Sequence, residues 1–243
     1  MIPTKKNIPS TVWYIGLGVA IVIVLVLLAK WGSSGVSNGT TAVTKDDWVK
    51  GATNSTVTLI EYSDFQCPAC GAYYTLVKEV MDAYGDQIQF VYRHFPLTQI
   101  HPNAMPAALA AEAAGKQGKF WEMHDILFEK QSDWSNESDP TAKFESYART
   151  IGLNTVEWKK DMESNEVKKA VNDDMNGGLG LGVNSTPSFF LNGTRTPNPR
   201  NFADFKEILE NALKDAANSP LTSTSTPVHI HADFAVYVNG KVI

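Results

Sequence analysis

The spacing of apolar residues changes along this chain in a way that predicts strands alternating with helices. An apolar, β-branched run at 56–62, Thr-Val-Thr-Leu-Ile-Glu-Tyr, predicts a first strand. Beyond it Tyr73, Val77, Val80, Met81 and Tyr84 share one helical face, so a helix should run from about 67 to 84. A second strand is expected at 88–94, ending at Phe95-Pro96. Helical spacing then dominates. Residues 103–114 are alanine-rich and closed by Gly115, and 119–130 carry Phe120, Trp121, His124, Leu127 and Phe128 on one stripe. Asp139-Pro140 reads as cap and first residue of a helix bearing Phe144, Tyr147, Ala148 and Ile151. Asn154 with Glu157 resembles a capping box. A further helix over 164 to about 176 should be broken by Gly177, Gly178, Gly180 and Gly182. The sheet is expected to resume at 187–191, turn at Asn192-Gly193 and be followed by a helix with Phe202, Phe205, Ile208, Leu209, Ala212 and Leu213 on one face.

The two ends follow other patterns. Residues 12–29 are uncharged and apolar, preceded by Lys5 and Lys6, followed by Lys30, and flanked by Trp13, Tyr14 and Trp31. That length and those flanks predict one transmembrane helix, with the lysine pair inside the cell and the rest of the chain outside. The rival is a cleaved signal peptide, which delivers the domain to the same side. The expected organisation is an anchor over 1–31, a flexible linker over 32–45, one domain over 46–217 and a Ser/Thr/Pro linker over 218–227. Residues 228–243 alternate like a strand into Asn239-Gly240 and read as the start of a truncated β-rich domain. His229, His231 and Asp233 there share one face, a solvated face or part of a metal site in a complete domain.

With 243 residues, 43% of them hydrophobic, the chain can build a sizeable core, and its net charge of −5 argues against a nucleic-acid partner. Its only two cysteines are Cys67 and Cys70, in Cys-Pro-Ala-Cys, between the first strand and the first helix. That places Cys67 at a helix N-terminus, where free N–H groups and the helix dipole favour a thiolate. A thiolate is the reacting species in disulfide exchange, and a cysteine one turn on can resolve a mixed disulfide. Half of a zinc site and an inert bridge are the alternatives. Zinc lacks its other ligands, and a ring this small restrains the unfolded chain little. No metal or other cofactor is expected.

Several ordered stretches resemble the DsbA-like thiol–disulfide oxidoreductases of bacteria. They are Glu61-Tyr62-Ser63-Asp64-Phe65-Gln66, Tyr92-Arg93-His94-Phe95-Pro96-Leu97, His101-Pro102-Asn103-Ala104, Gln117-Gly118-Lys119-Phe120-Trp121, and the segment from Thr186-Pro187 to Gly193. The resemblance implies an α/β, thioredoxin-like fold with an inserted helical subdomain. It implies Cys67 as exposed nucleophile, Cys70 as buried resolving cysteine and Pro187 as a cis-proline facing them, with the Thr186 backbone offered to an extended substrate. From spacing alone Pro187 is only the first residue of an edge strand. Pro68 and Ala69 complete the motif. Glu61, near the strand's end, is either a proton acceptor for Cys70 or a partly exposed carboxylate. His124 reads as a core histidine, and His94 and His101 as structural or loop residues. The family commonly has histidine where Ala69 stands, which leaves the direction of electron flow open. The resulting expectation is a membrane-anchored extracytoplasmic enzyme that oxidises client proteins and is recycled by a membrane redox partner. A reductase or isomerase, and a non-catalytic binding module, are the rivals.

Overall fold

The computed structural model describes residues 39–218, together with the backbone of 237–238 and 241–242. Strand β2 (Thr58–Ser63) is buried on both faces from Leu59 on, and its two buried polar residues, Glu61 and Ser63, bond to each other. It pairs in parallel with β3 (Gln89–His94), from Thr58 opposite Gln89 to Ser63 opposite His94. Parallel pairing demands a crossover, supplied by helix α1 (Pro68–Tyr84). On its other side β2 pairs antiparallel with β4 (Ser188–Leu191), which continues into β5 (Thr194–Arg195). Asn192 and Gly193, at φ 47° and 83°, make the tight turn between them. Strand β1 (Trp48–Gly51) closes the other edge against β3, giving the order β1-β3-β2-β4-β5.

Period-two alternation divides the core between the two faces. Leu59, Phe90, Tyr92 and Phe189 pack with Val77 and Val80 of α1 and with Phe205 and Leu209 of α8 (Phe202–Asn218). Ile60, Tyr62, Val91 and Phe190 pack with Phe95 and Val183, and Met175 of α7 (Asn165–Gly180) lies against them. Between β3 and β4 the chain also forms α2 (Ala104–Gly115), α3 (Phe120–Glu129), α4 (Gln131–Trp134), α5 (Thr141–Thr150) and α6 (Thr155–Glu163). The buried alanines of α2 let these helices approach closely. Trp134 and Trp158 are wholly buried, and their ring N–H groups donate to Leu127 O at 2.9 Å and Ala110 O at 3.0 Å.

Several expectations are corrected. β1 was not anticipated, because four residues without alternation carry no periodic signal. Helix α7 runs through Gly177 and Gly178 to Gly180 rather than breaking there. Gly178 serves close packing: a Cβ on it would lie 2.8 Å from Phe95 Cδ2 and 3.0 Å from Tyr62 Cδ1. Gly178→Ala should therefore cost about 1–3 kcal/mol, read as a lower urea midpoint. An unchanged midpoint would mean that the rings give way freely. The start of α5 is displaced by one residue, with Pro140 at the cap and Asp139 Oδ1 accepting from Thr141 N at 2.9 Å. Asn154 caps α6 as expected, accepting from Val156 N and Glu157 N.

Part of the expected linker is instead held by Arg93. All five N–H groups of this buried guanidinium are used: on both Asp47 carboxylate oxygens (2.7 and 3.0 Å), on Thr40 O (2.6 Å), on Ala42 O (2.8 Å) and on the Tyr62 hydroxyl (3.0 Å). Among the described residues no helix is long and apolar enough to cross a membrane. The expected anchor, and His229, His231 and Asp233, lie outside the described residues. In the tail, β6 (Tyr237–Val238) pairs antiparallel with β7 (Lys241–Val242), and the expected Asn239-Gly240 turn lies outside the described residues.

Candidate active site

Three residues, Asp64-Phe65-Gln66, turn the chain from β2 into α1. The Asp64 carboxylate shapes that turn, accepting from Gln66 N (2.8 Å) and Leu97 N (3.0 Å) and meeting His101 Nδ1 at 2.7 Å. Cys67 N donates to Asp64 O at 3.1 Å, and Cys67 becomes the extended cap residue of α1 (φ −66°, ψ 121°). Pro68 follows at the first helical position, where a missing N–H costs nothing. Pro68 and Ala69, between the two cysteines, are exposed. Both cysteines are free thiols. Cys70, one turn into the helix, is 0% exposed, and Cys67 is 7% exposed. The expected exposed nucleophile is thus mostly covered, because the Thr186-Pro187 segment lies over it.

The Thr186–Pro187 bond is cis, and the Cys67 thiol donates to Thr186 O at 3.5 Å. Pro187 is buried and leads into β4, which lies inside the sheet rather than at an edge. Asn198 Nδ2 fixes the turn by donating to Pro187 O at 2.8 Å.

The two thiols are made unlike each other. A hydrogen bond from the Cys70 thiol lowers the Cys67 pKa to about 5 against the opposing effect of burial. Thr186, whose buried hydroxyl has no other partner, and the amides of Cys70 and Ala69 lower it further. Cys70 is pushed up, first by burial, then by Cys67 and by the Glu61 charge. Glu61 is itself buried, at 3% exposure, which excludes the partly exposed alternative. Burial raises its pKa to about 7, and the Ser63 hydroxyl donating at 2.7 Å holds it back. Such a carboxyl can exchange a proton near neutral pH beside a thiol that resists losing one.

Sequence reasoning did not single out Ser63, although it lies two residues from Glu61 and hence on the same strand face. It also missed the side chains that grip the loop from the helical insertion. Gln131 Nε2 donates to Phe65 O (2.7 Å) and Cys67 O (2.9 Å), and Gln66 Nε2 donates to Ser135 O (2.7 Å). His124 is the buried core residue expected, with Nδ1 2.8 Å from Asp125, and burial lowers its pKa. His94, Glu112 and Asp174 come close enough together to hold a metal ion. One oxygen of each carboxylate is already engaged: Trp48 Nε1 and His94 Nε2 meet Glu112 Oε1 at 2.6 and 3.0 Å, and His94 N donates to Asp174 Oδ2 at 2.9 Å.

A thioredoxin family model matches residues 43–211. The fold is similar to a thioredoxin-like oxidoreductase from Silicibacter pomeroyi, at 28% identity and TM-score 0.60, covering 73% of this chain and 95% of that one. It is also similar to BdbD from Bacillus subtilis, at 24% identity and TM-score 0.64, covering 72% and 97%. DsbA1 of Wolbachia pipientis gives 22% and 0.65, covering 74% and 97%. Among curated proteins, the Na(+)/H(+) antiporter NhaA 1 of Mycolicibacterium vanbaalenii is 38% identical over 168 residues, 68% of this chain. The chain spans about a quarter of the length of that relative, 26% of it. A dithiol at a helix N-terminus, a facing cis-proline and a helical insertion within a matching family model lead to one conclusion: the chain belongs to the thioredoxin family, with the fold of DsbA-like thiol–disulfide oxidoreductases.

Proposed function

We propose that the chain is an extracytoplasmic, membrane-anchored oxidase of protein thiols working through Cys67-Pro68-Ala69-Cys70. The carrying observation is the contrast between an acidic Cys67 and a buried, reluctant Cys70. A client thiolate attacks Sγ of Cys67 in the oxidised pair. The Cys67–Cys70 bond breaks, and Cys70 leaves with the electron pair and takes up a proton, for which protonated Glu61 is the nearby source. A second client thiolate then attacks the client sulfur of the mixed disulfide. Cys67 leaves as a stabilised thiolate, the client gains a disulfide and the enzyme holds two more electrons. A thiolate that leaves easily and a reduced state that is stabilised both favour this direction. Returning to the disulfide requires an electron acceptor, which we assign to a membrane redox partner. The apolar run at 12–29 supports the anchor, and the similarity to part of chains named as antiporters supports a membrane setting.

Equilibration with glutathione tests the direction. An oxidase should show a potential less negative than about −200 mV, and a value near thioredoxin's, about −270 mV, would favour the reductase reading. Ala69→His should make the potential less negative still, because an imidazolium on the exposed side of the motif adds to the stabilisation of the Cys67 thiolate. An unchanged potential in that variant would show that this position does not set the poise, and a more negative one would refute the stabilisation of the thiolate by the imidazolium.

A further inference from the structure

The helical insertion reaches the reacting cysteine through one side chain. Gln131, the first residue of α4, is far from the motif in sequence, yet its amide spends both N–H groups on the motif's backbone: 2.7 Å to Phe65 O and 2.9 Å to Cys67 O. Cys67 O is also the acceptor of the first helical bond, from Gly71 N at 3.1 Å. The Gln131 amide thus fixes the peptide plane on which Cys67 passes into α1. Its seat depends on Gly71. A Cβ there would lie 2.7 Å from Gln131 Oε1, 3.1 Å from Cδ and 3.2 Å from Nε2. Attachment of the insertion does not itself need this contact. Gln66 already bridges to Ser135 O and to Asn103 N, and Asn103 Nδ2 donates to Glu137 O at 2.8 Å.

We propose that Gln131 is a positioning residue through which the helical insertion aligns Cys67 with the amides that open α1. Two physical effects act together. The fixed carbonyls hold the sulfur where the Ala69 and Cys70 amides meet it. The amide hydrogens also draw on the Phe65 and Cys67 carbonyl oxygens, lessening the negative potential those oxygens add around the motif. Glycine at 71 is then selected by the room the amide needs, since alanine suits a helix better. The inference rests on Cys67 being the attacking sulfur.

The test is the pH profile of iodoacetamide alkylation on the full reduced chain, with the modified cysteine identified by mass spectrometry. Gln131→Ala should move the Cys67 midpoint up by about one pH unit, a roughly tenfold smaller thiolate fraction at pH below both midpoints. Gln131→Glu should move it at least as far, because a carboxylate repels the two carbonyls. Gly71→Ala should move it in the same direction while leaving the melting temperature level or higher at pH 4.5, where the Cys67 thiolate no longer adds stability. A merely structural glutamine would give the opposite pattern, a lower melting temperature with an unmoved midpoint, and that overturns the proposal. If Gln131→Ala does not fold, Gly71→Ala decides by whether its midpoint moves. Alkylation of Cys70 ahead of Cys67 in the unaltered chain would overturn the underlying reading and this one with it. Cys67-first alkylation with unmoved midpoints in the variants overturns this one alone.

Discussion

Cys70→Ala should turn the protein from a catalyst into a trap. The Cys67 thiolate would still open a client disulfide, but no second enzyme sulfur would remain to resolve the mixed disulfide. Covalent adducts should accumulate and disappear on reduction in gels. Cys67→Ala should give none, and exchange should fall on the order of a thousandfold or more. The asymmetry follows from geometry: Cys67 caps the helix and keeps some exposure, whereas Cys70 is fully enclosed. Equal trapping by the two variants would sink the assignment of roles.

The reduced protein should be more stable than the oxidised one at neutral pH, and its advantage should disappear in acid. Cys67 is more acidic folded, at about 5, than its ordinary value of 9.0. A depressed pKa adds stability that is complete above the unfolded value and lost as pH falls through the folded one. At pH 7, two pH units above that folded value, the term is about 3 kcal/mol, on the order of 6–12 °C in melting temperature for a chain this size. The disulfide form has no thiolate and gains nothing. Glu61 has the opposite sign: its raised pKa, about 7, gives stability present below 4.5 and lost as pH rises through 7. Burial, its largest cause, is common to both redox forms and cancels in the difference between them, whereas the smaller part due to the Cys67 charge belongs to the reduced form alone. Calorimetry of both forms at pH 7 and pH 4.5 measures that difference, and parallel melting temperatures at the two pH values would refute the thiolate account.

The parts legible in the sequence are those whose signal is local. β2, β3 and α1 follow from apolar periodicity, and the Asn192-Gly193 turn from residues that tolerate positive φ. The cysteine pair declares its chemistry by standing between a strand and a helix. The facing of Pro187 and Cys67 came only from family resemblance, because nothing in their spacing brings two distant segments together. What stayed hidden depends on such long-range meetings. β1 exists because β3 offers it an edge, and Gln131 matters because of which carbonyls it reaches. At Gly178 of helix α7, Phe95 and Tyr62 occupy the space that a side chain would have filled.

The Arg93 clamp also settles how the domain bears a load. A pull on the chain ahead of Thr40 meets the bonds from Arg93 to Thr40, Ala42 and Asp47 before it reaches β1. Those bonds pass the force to β3, the strand that bears Arg93, inside the sheet rather than at its edge. Cys67 follows β2, the parallel neighbour of β3, and Arg93 also bonds the Tyr62 hydroxyl of β2, so tension arriving from the N-terminal side is shared with the strand that leads to the dithiol.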